Sequence, residues 1–229
     1  MSMFQRVISR YTQRLQSHPL STLMVTNGAL AVISDALAQQ ISKTPNPAPP
    51  EKDGFINTEA ATSQNEYNFA RTARLSFYGF ATAPLFNAWY TFLDKRFPMP
   101  TGQTTTVGKY GLKNPAVRAL IKRVATDQIL FAPFAIALFF VSISLLEGAS
   151  MEGIKTKFEK AYVPGLLGNY QLWPLAQLVN FFYVPLSLRV PFSSTVGIFW
   201  NSYLSWLNSK NPVAHSRMIQ REAASEEPL

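Results

Sequence analysis

The side chains best placed to do chemistry in this chain are polar groups embedded in apolar sequence. In the stretch Asn169 to Lys210, NYQLWPLAQLVNFFYVPLSLRVPFSSTVGIFWNSYLSWLNSK, an otherwise greasy run keeps Trp173, Gln177, Asn180, Arg189, Asn201 and Ser205. On a helix Trp173, Gln177 and Asn180 stand at i, i+4 and i+7 and so share one face. An unpartnered amide or guanidinium in hydrocarbon is costly, and such groups turn toward other helices or water. Two uses follow. The polar face either supplies hydrogen bonds that hold a helical bundle together or lines a water-filled path, and spacing alone leaves both open.

Two carboxylates lie in similar settings. Asp127, followed by Gln128, opens the apolar block VATDQILFAPFAIALFFVSISLLEG, just after Arg118, Lys122 and Arg123. A carboxylate one turn beyond Arg123 can pair with it at i, i+4 near a membrane surface. Facing inward instead, it would set a cation preference, as acidic rings do in channels. Asp35 and Gln39 stand one turn apart near the end of the first apolar block. They read either as a pair solvated at an interface, or as a pore mouth or the partner of a cation from another helix.

Catalysis finds little support. Asp35 and Asp127 would be the members of any aspartyl dyad, but they follow Ser34 and Thr126 and lack the glycine-flanked setting of intramembrane aspartyl proteases. There is no Walker loop, no nucleophile elbow and no metal-spaced His/Glu set. The chain has no cysteine, which excludes disulfides, thiolate catalysis and a Cys-based zinc site, and His18 and His215 are its only histidines. The expectation is a protein that is not an enzyme and that carries no cofactor and no metal.

The elements that must position these groups are helices in a membrane. Of the 229 residues 47% are hydrophobic and only 15% charged, yet the mean hydropathy is just +0.02, so the apolar residues are gathered in blocks. The 17 Phe, 9 Tyr and 4 Trp suit aromatics at a lipid interface. The net charge of +8 comes from basic residues that flank the apolar blocks, so topology and anionic lipid account for it and nucleic acid does not. Residues 1–34 contain no acidic residue up to Ser34. Arg6, Arg10 and Arg14 recur every four positions opposite Phe4, Val7, Ile8, Tyr11 and Leu15, a basic amphipathic helix of transit-like character that we read as retained on the membrane.

Residues 1–18 therefore form an amphipathic basic helix, 19–210 a transmembrane bundle and 211–229 a polar tail. Apolar blocks at about Thr22–Ile41, about Arg71–Phe92 and after Arg123 each suffice for a crossing of roughly 20 residues. The Pro-rich, net acidic stretch 43–67 reads as a flexible aqueous insertion. MEGIKTKFEKAY, near 150–162, reads as a short amphipathic helix. Pro185, Arg189 and Pro191 break the last apolar stretch into halves of about 174–188 and 194–208, each short for a span. The fold class is all-α, a polytopic bundle of about four spans, and whether 174–208 crosses once or twice stays open. Four crossings would place both termini on one side, and a second crossing by the last stretch would move the C-terminus to the other.

WPLAQLVNFFYVPLSLR followed by WNSYLSW resembles the Mpv/PMP family of peroxisomal and mitochondrial inner-membrane proteins, whose C-terminal signature runs W-P-x-x-Q-x-x-N-F-x-x-V-P and then W-N-x-Y-L-S. RYTQRLQSHPLSTLM resembles the family's entry to its first span, Arg71 and Arg74 with P-x-x-x-x-WY-x-x-LD its second, and Asp127-Gln128 to Pro133 its D-Q-x-x-x-x-P pattern. The resemblance implies a weakly selective channel of the mitochondrial inner membrane, or alternatively of the peroxisomal membrane, affecting membrane potential, oxidative stress and mitochondrial metabolite and DNA homeostasis. It implies membrane lipids and a homo-oligomer or larger membrane complex as partners. The positions matching family motifs are Asp127, Gln128, Trp173, Gln177, Asn180, Arg189, Trp200 and Asn201. For these we expect Asp127 and Gln177 as pore-facing groups, Trp173 and Trp200 as interfacial anchors, and Asn180 and Asn201 as interhelical hydrogen-bonders. A non-conducting membrane scaffold or lipid-binding protein is the competing expectation.

Overall fold

Every regular element in the computed structural model is helical, and the described residues are 3–42, 67–100 and 114–209. The tail at 211–229 and all but the last residue of the 43–67 insertion lie outside them. The elements are α1 (Met3–Ser17), α2 (Pro19–Ser42), α3 (Phe69–Arg96), α4 (Pro115–Thr126), a π-helical turn (Asp127–Phe131), α5 (Ala132–Leu146), α6 (Met151–Tyr183), a 3-10 turn (Leu186–Leu188) and α7 (Arg189–Ser209). Their ends follow from local chemistry. Asn68 caps α3 by accepting from the Arg71 amide, Asn114 caps α4 with Pro115 at the first turn, and Ser150 caps α6 through the Gly153 amide. Between α5 and α6 Gly148 adopts φ 75°, the left-handed conformation that lets the Ala149 amide reach back to the Ser144 carbonyl.

Side-chain pairings give the direction of each helix. Asp35 meets Arg71 and Gly28 meets Ser76, so α2 and α3 are antiparallel. Trp89 meets Asp127 and Tyr78 meets Phe139, so the α4–α5 rod runs against α3. Gln128 meets Asn169, the Pro133 carbonyl meets Tyr162 and Glu147 meets Lys157, which sets α6 against that rod. Asn27 meets Ser194 and Ser34 meets Asn201, so α7 runs parallel to α2. The chain thus travels the length of the bundle five times, and residues 174–208 supply parts of two opposed passes. α1 docks at the end where α2 begins, placing Leu15 and Tyr11 against the core cluster with Leu23, Tyr90, Leu93, Leu120, Phe181 and Val190.

Two expectations change here. The segment 150–162 is not a separate short helix: it continues through Pro164 and Pro174 as one α6 of 33 residues, about 50 Å long at 1.5 Å per residue. The break near the end falls at Val184–Leu188, and Pro191 lies in the first turn of α7, where a missing amide hydrogen costs no helical bond.

Polarity is arranged inside out. Asn27, Asp35, Gln39, Thr72, Arg123, Asp127, Gln128, Gln177, Asn180 and Arg189 are buried, whereas Val25, Ile33, Phe77, Ile129, Leu130, Leu145, Leu167, Leu175 and Phe199 are exposed. Extended apolar exposure of this kind needs a nonaqueous surround. Two helical rods, Pro19–Ser42 and Pro115–Leu146, are long and apolar enough to cross a membrane on length and composition. At the α2–α3 contact a Cβ on Gly79 would lie 3.2 Å from the Asn27 carbonyl oxygen, so glycine there permits the close approach.

Candidate functional site

The buried polar groups fall into separate clusters. At the end of the bundle where α2 begins, Asp94 at the C-terminal turn of α3 bridges two guanidiniums: Arg123 at 2.7 Å and Arg189 at 3.0 Å. Arg123 also donates from Nε to the Phe97 carbonyl, and Arg189 to that of Val184. Arg189 thereby locks the α6–α7 turn to α3 near the bundle end. Toward the opposite end Asp35 pairs with Arg71 at 3.0 Å and accepts from Gln39 Nε2 at 2.7 Å and from the Thr72 hydroxyl. Gln39 also accepts from the Asn68 amide, tying α2 to the start of α3. Asp35 thus meets a cation from another helix, one of the two alternatives its position allowed. Asp35 and Asp127 belong to different clusters, and no dyad forms.

The third cluster is built around Asp127. The i, i+4 pair with Arg123 is not made: that guanidinium has turned to Asp94, and Asp127 is held by neutral donors instead. Trp89 Nε1 donates to Oδ1 at 2.8 Å, and Gln128 Nε2 and Gln177 Nε2 donate to Oδ2 at 2.8 and 3.0 Å. The local reason is the π-helical turn at Asp127–Phe131, closed by the Ala132 amide on the Asp127 carbonyl. Neighbouring residues in an α-helix point about 100° apart, and the wider turn brings both Asp127 and Gln128 inside. Pro133, which cannot donate to a carbonyl one turn back, is the sequence signal for that defect.

From Asp127 the network spreads across three helices. Gln177 also donates to the Tyr90 hydroxyl at 3.1 Å, which shares a hydrogen bond with Ser193 at 2.9 Å. Asn180 donates to Gln177 Oε1 and to Ser193 at 2.8 and 3.1 Å, while its own Oδ1, fully buried, meets no donor among the described residues. Gln128 accepts from Asn169 at 3.3 Å, and its backbone carbonyl accepts from Tyr170. Gln177 and Asn180, one turn apart, therefore work as the shared face of α6 suggested. Trp89, Tyr90 and Ser193 are members that sequence reasoning missed. Asn201 donates to Ser34 at 3.0 Å and bonds α7 to α2.

The Asp127 cluster and the Ser34–Asn201 pair border a partly open cavity of about 340 Å³ lined by α2, α3, the π-turn, α5, α6 and α7. Its lining includes Asn27, Tyr78, Phe86, Asp127, Gln128, Phe131, Phe139, Gln177, Ser193 and Asn201. Trp173 and Trp200, expected as interfacial anchors, both border the cavity and are half-buried. Asp127 is the one charged residue in that lining. Asp35 and Arg189 lie outside it. No group of three metal-binding side chains occurs among the described residues.

A helical bundle with polar groups turned inward, apolar side chains turned outward and a cavity inside is the build of an integral membrane protein. The Mpv17 / PMP22 family matches residues 144–205 of the chain. Protein sym1 of Schizosaccharomyces pombe is 34% identical over 91% of this chain and 94% of its own length. Protein sym-1 of Neurospora crassa is 35% identical over 89% and 100%, and the mitochondrial inner membrane protein Mpv17 of Danio rerio 30% identical over 87% and 96%. The chain belongs to the Mpv17 / PMP22 family of membrane proteins. No solved structure matches it.

Proposed function

We propose that the protein is a weakly selective, cation-preferring channel for ions or small metabolites in the mitochondrial inner membrane. The observation that carries this reading is Asp127: a buried carboxylate on the cavity wall, held by three neutral donors and given no cationic partner among the described residues. A structural carboxylate in an apolar setting is ordinarily matched by a cation, as Asp35 and Asp94 are here. An unmatched one beside a cavity favours a passing positive charge. The mitochondrial placement rests on the acid-free Arg helix α1 and on the Danio rerio relative's name. On this reading the effects on membrane potential, oxidative stress and mitochondrial DNA follow from metabolite supply, no reaction is catalysed, and the pore assembles with lipids or further copies around it.

A second reading, a non-conducting scaffold, draws on the way Gln177, Asn180, Tyr90 and Ser193 bond one another across α3, α6 and α7. Planar-bilayer recording of the purified protein beside Asp127→Asn separates the two. The channel reading expects discrete openings whose cation preference falls in the variant. Openings indifferent to the substitution would remove Asp127 from the path, and a silent bilayer with folded, inserted protein would favour the scaffold.

A further inference from the structure

We infer that the cavity is a binding site for organic monocations, in which a protonated or quaternary amine rests on Asp127 and an apolar body lies among the aromatic rings. The inference uses the same cavity as the channel reading but does not depend on conduction.

Charge matching in the bundle leads to it. Four described carboxylates have close cationic partners: Asp35 has Arg71, Asp94 has Arg123 and Arg189, Glu147 has Lys157 at 2.6 Å, and exposed Glu159 has Lys155 at 3.9 Å. Asp127 is the buried exception, and the guanidinium nearest to it in sequence is committed elsewhere. A carboxylate offers about four lone-pair sites, of which Trp89, Gln128 and Gln177 occupy three. The free site is on Oδ1. The site is therefore short of donors and of positive charge, and a ligand that supplies both fits it.

The remaining wall selects the rest of the ligand. Tyr78, Phe86, Phe131, Phe139, Trp173 and Trp200 present rings to the cavity, and aromatic faces attract ammonium groups that have shed water. Lys and Arg are absent from the lining, so a phosphate or carboxylate ligand would meet Asp127 with no compensating cation. The volume of about 340 Å³ lies at the small end of ligand sites, which span roughly 300–1,000 Å³. That suits one ring or a few short alkyl chains. Asn201 on the lining is exposed, so the cavity reaches the surface of the bundle's helices there.

Isothermal titration of the full-length protein in lipid nanodiscs tests this with benzyltriethylammonium as probe and naphthalene-2-sulfonate as its anionic counterpart. Saturable binding of the ammonium and none of the sulfonate is the expected result. Asp127→Asn, nearly the same shape without the charge, should weaken ammonium binding about tenfold or more, a loss of about 1.4 kcal/mol. Gly197→Leu offers an independent check. Gly197 borders the cavity, and a Cβ there meets nothing within 4 Å, so the longer side chain should fill the space and abolish binding with Asp127 intact. Should Asp127→Asn fail to elute as the folded protein, the Gly197 variant decides alone. Equal binding of the sulfonate, or ammonium binding indifferent to the folded variants, would overturn the inference. Binding with a silent bilayer would sink the channel reading and leave this one standing; conduction without binding would do the reverse.

Discussion

Removing the charge of Asp94 tests whether the bundle end is held by a carboxylate shared between two buried guanidiniums. One oxygen, Oδ1, receives Arg123 at 2.7 Å and Arg189 at 3.0 Å, joining α3, α4 and α7. The Arg123 and Arg189 side chains are 2% and 6% exposed, whereas that of Asp94 is 36% exposed. In Asp94→Asn the shape survives, but two cations are left facing each other with one backbone carbonyl each, at 2.8 Å from Phe97 and 3.2 Å from Val184. Stranding a buried charge costs about 3–5 kcal/mol, and the retained carbonyls and the solvated third of Asp94 lower this to about 2–3 kcal/mol. For a chain of this size each kcal/mol moves the midpoint by about 2–4 °C, so a drop of about 5–10 °C is expected in a circular-dichroism melt of the detergent-solubilised protein. Adding Arg189→Gln to Asp94→Asn removes one stranded cation, so the double variant should melt above the sum of the two single losses. A shift below about 1 °C for Asp94→Asn, or strict additivity in the double variant, would refute the shared clamp.

The ion pair at the other end predicts an asymmetry. The Asp35 side chain is 1% exposed and that of Arg71 37%, so Arg71→Ala strands a buried carboxylate while Asp35→Asn merely releases a guanidinium that can reach water. Arg71→Ala should therefore lower the melting midpoint several degrees more than Asp35→Asn, and the reverse order would count against the pairing. Orientation gives another prediction. Among the described residues the end holding α1 and the α6–α7 turn carries Arg6, Arg10, Arg14, Lys95, Arg96, Arg118, Lys122, Arg123 and Arg189 against Asp94 alone, while the opposite end nearly balances its charges. In the mitochondrial inner membrane proposed above, the positive-inside bias would direct the first end to the matrix. The chain has no native cysteine, so single replacements report cleanly. In mitoplasts Glu152→Cys should react with an impermeant maleimide and Ser17→Cys only after permeabilisation, and the opposite pattern would invert the topology.

The helical architecture was legible because its determinants are local. The apolar blocks are of spanning length, whereas the caps at Asn68, Asn114-Pro115 and Ser150 and the turn at Gly148, though local, came from the structure. The shared face of Gln177 and Asn180 was legible for the same reason. The continuity of α6 was not legible: the sequence read 150–162 as a separate short helix, whereas α6 runs on through Pro164 and Pro174, whose freed carbonyls neighbouring groups can satisfy. The number of passes was hidden because the halves of 174–208 looked too short for spans until α6 was seen to begin at Met151. The partner of Arg123 could not be read from spacing. At i, i+4 Asp127 is the nearest acid, but Asp94 reaches Arg123 from another helix, and that choice is made by packing. Trp89 as an indole donor to Asp127 and Ser193 as a partner of Tyr90 are likewise contacts between distant segments, for which single-sequence periodicity carries no signal.

The three paired or buried acids show why an apolar setting alone does not identify a functional group in this bundle. Asp35, Asp94 and Asp127 all lie on helices in apolar surroundings, and all three have several hydrogen-bond donors. Asp35 and Asp94 sit near opposite ends, each opposite arginine and each joining elements distant in sequence, so their charges are consumed in holding the frame. Asp127 lies between them, borders open volume, and has donors that carry no charge. An asparagine would keep only one of the two acceptor oxygens and set its amide N–H2 against either Trp89 or the pair Gln128 and Gln177, so the carboxylate serves cohesion here, at the cost of burying a negative charge. Its charge, unlike those of Asp35 and Asp94, is matched by no cation among the described residues. What it adds is an affinity for a positive charge entering the cavity.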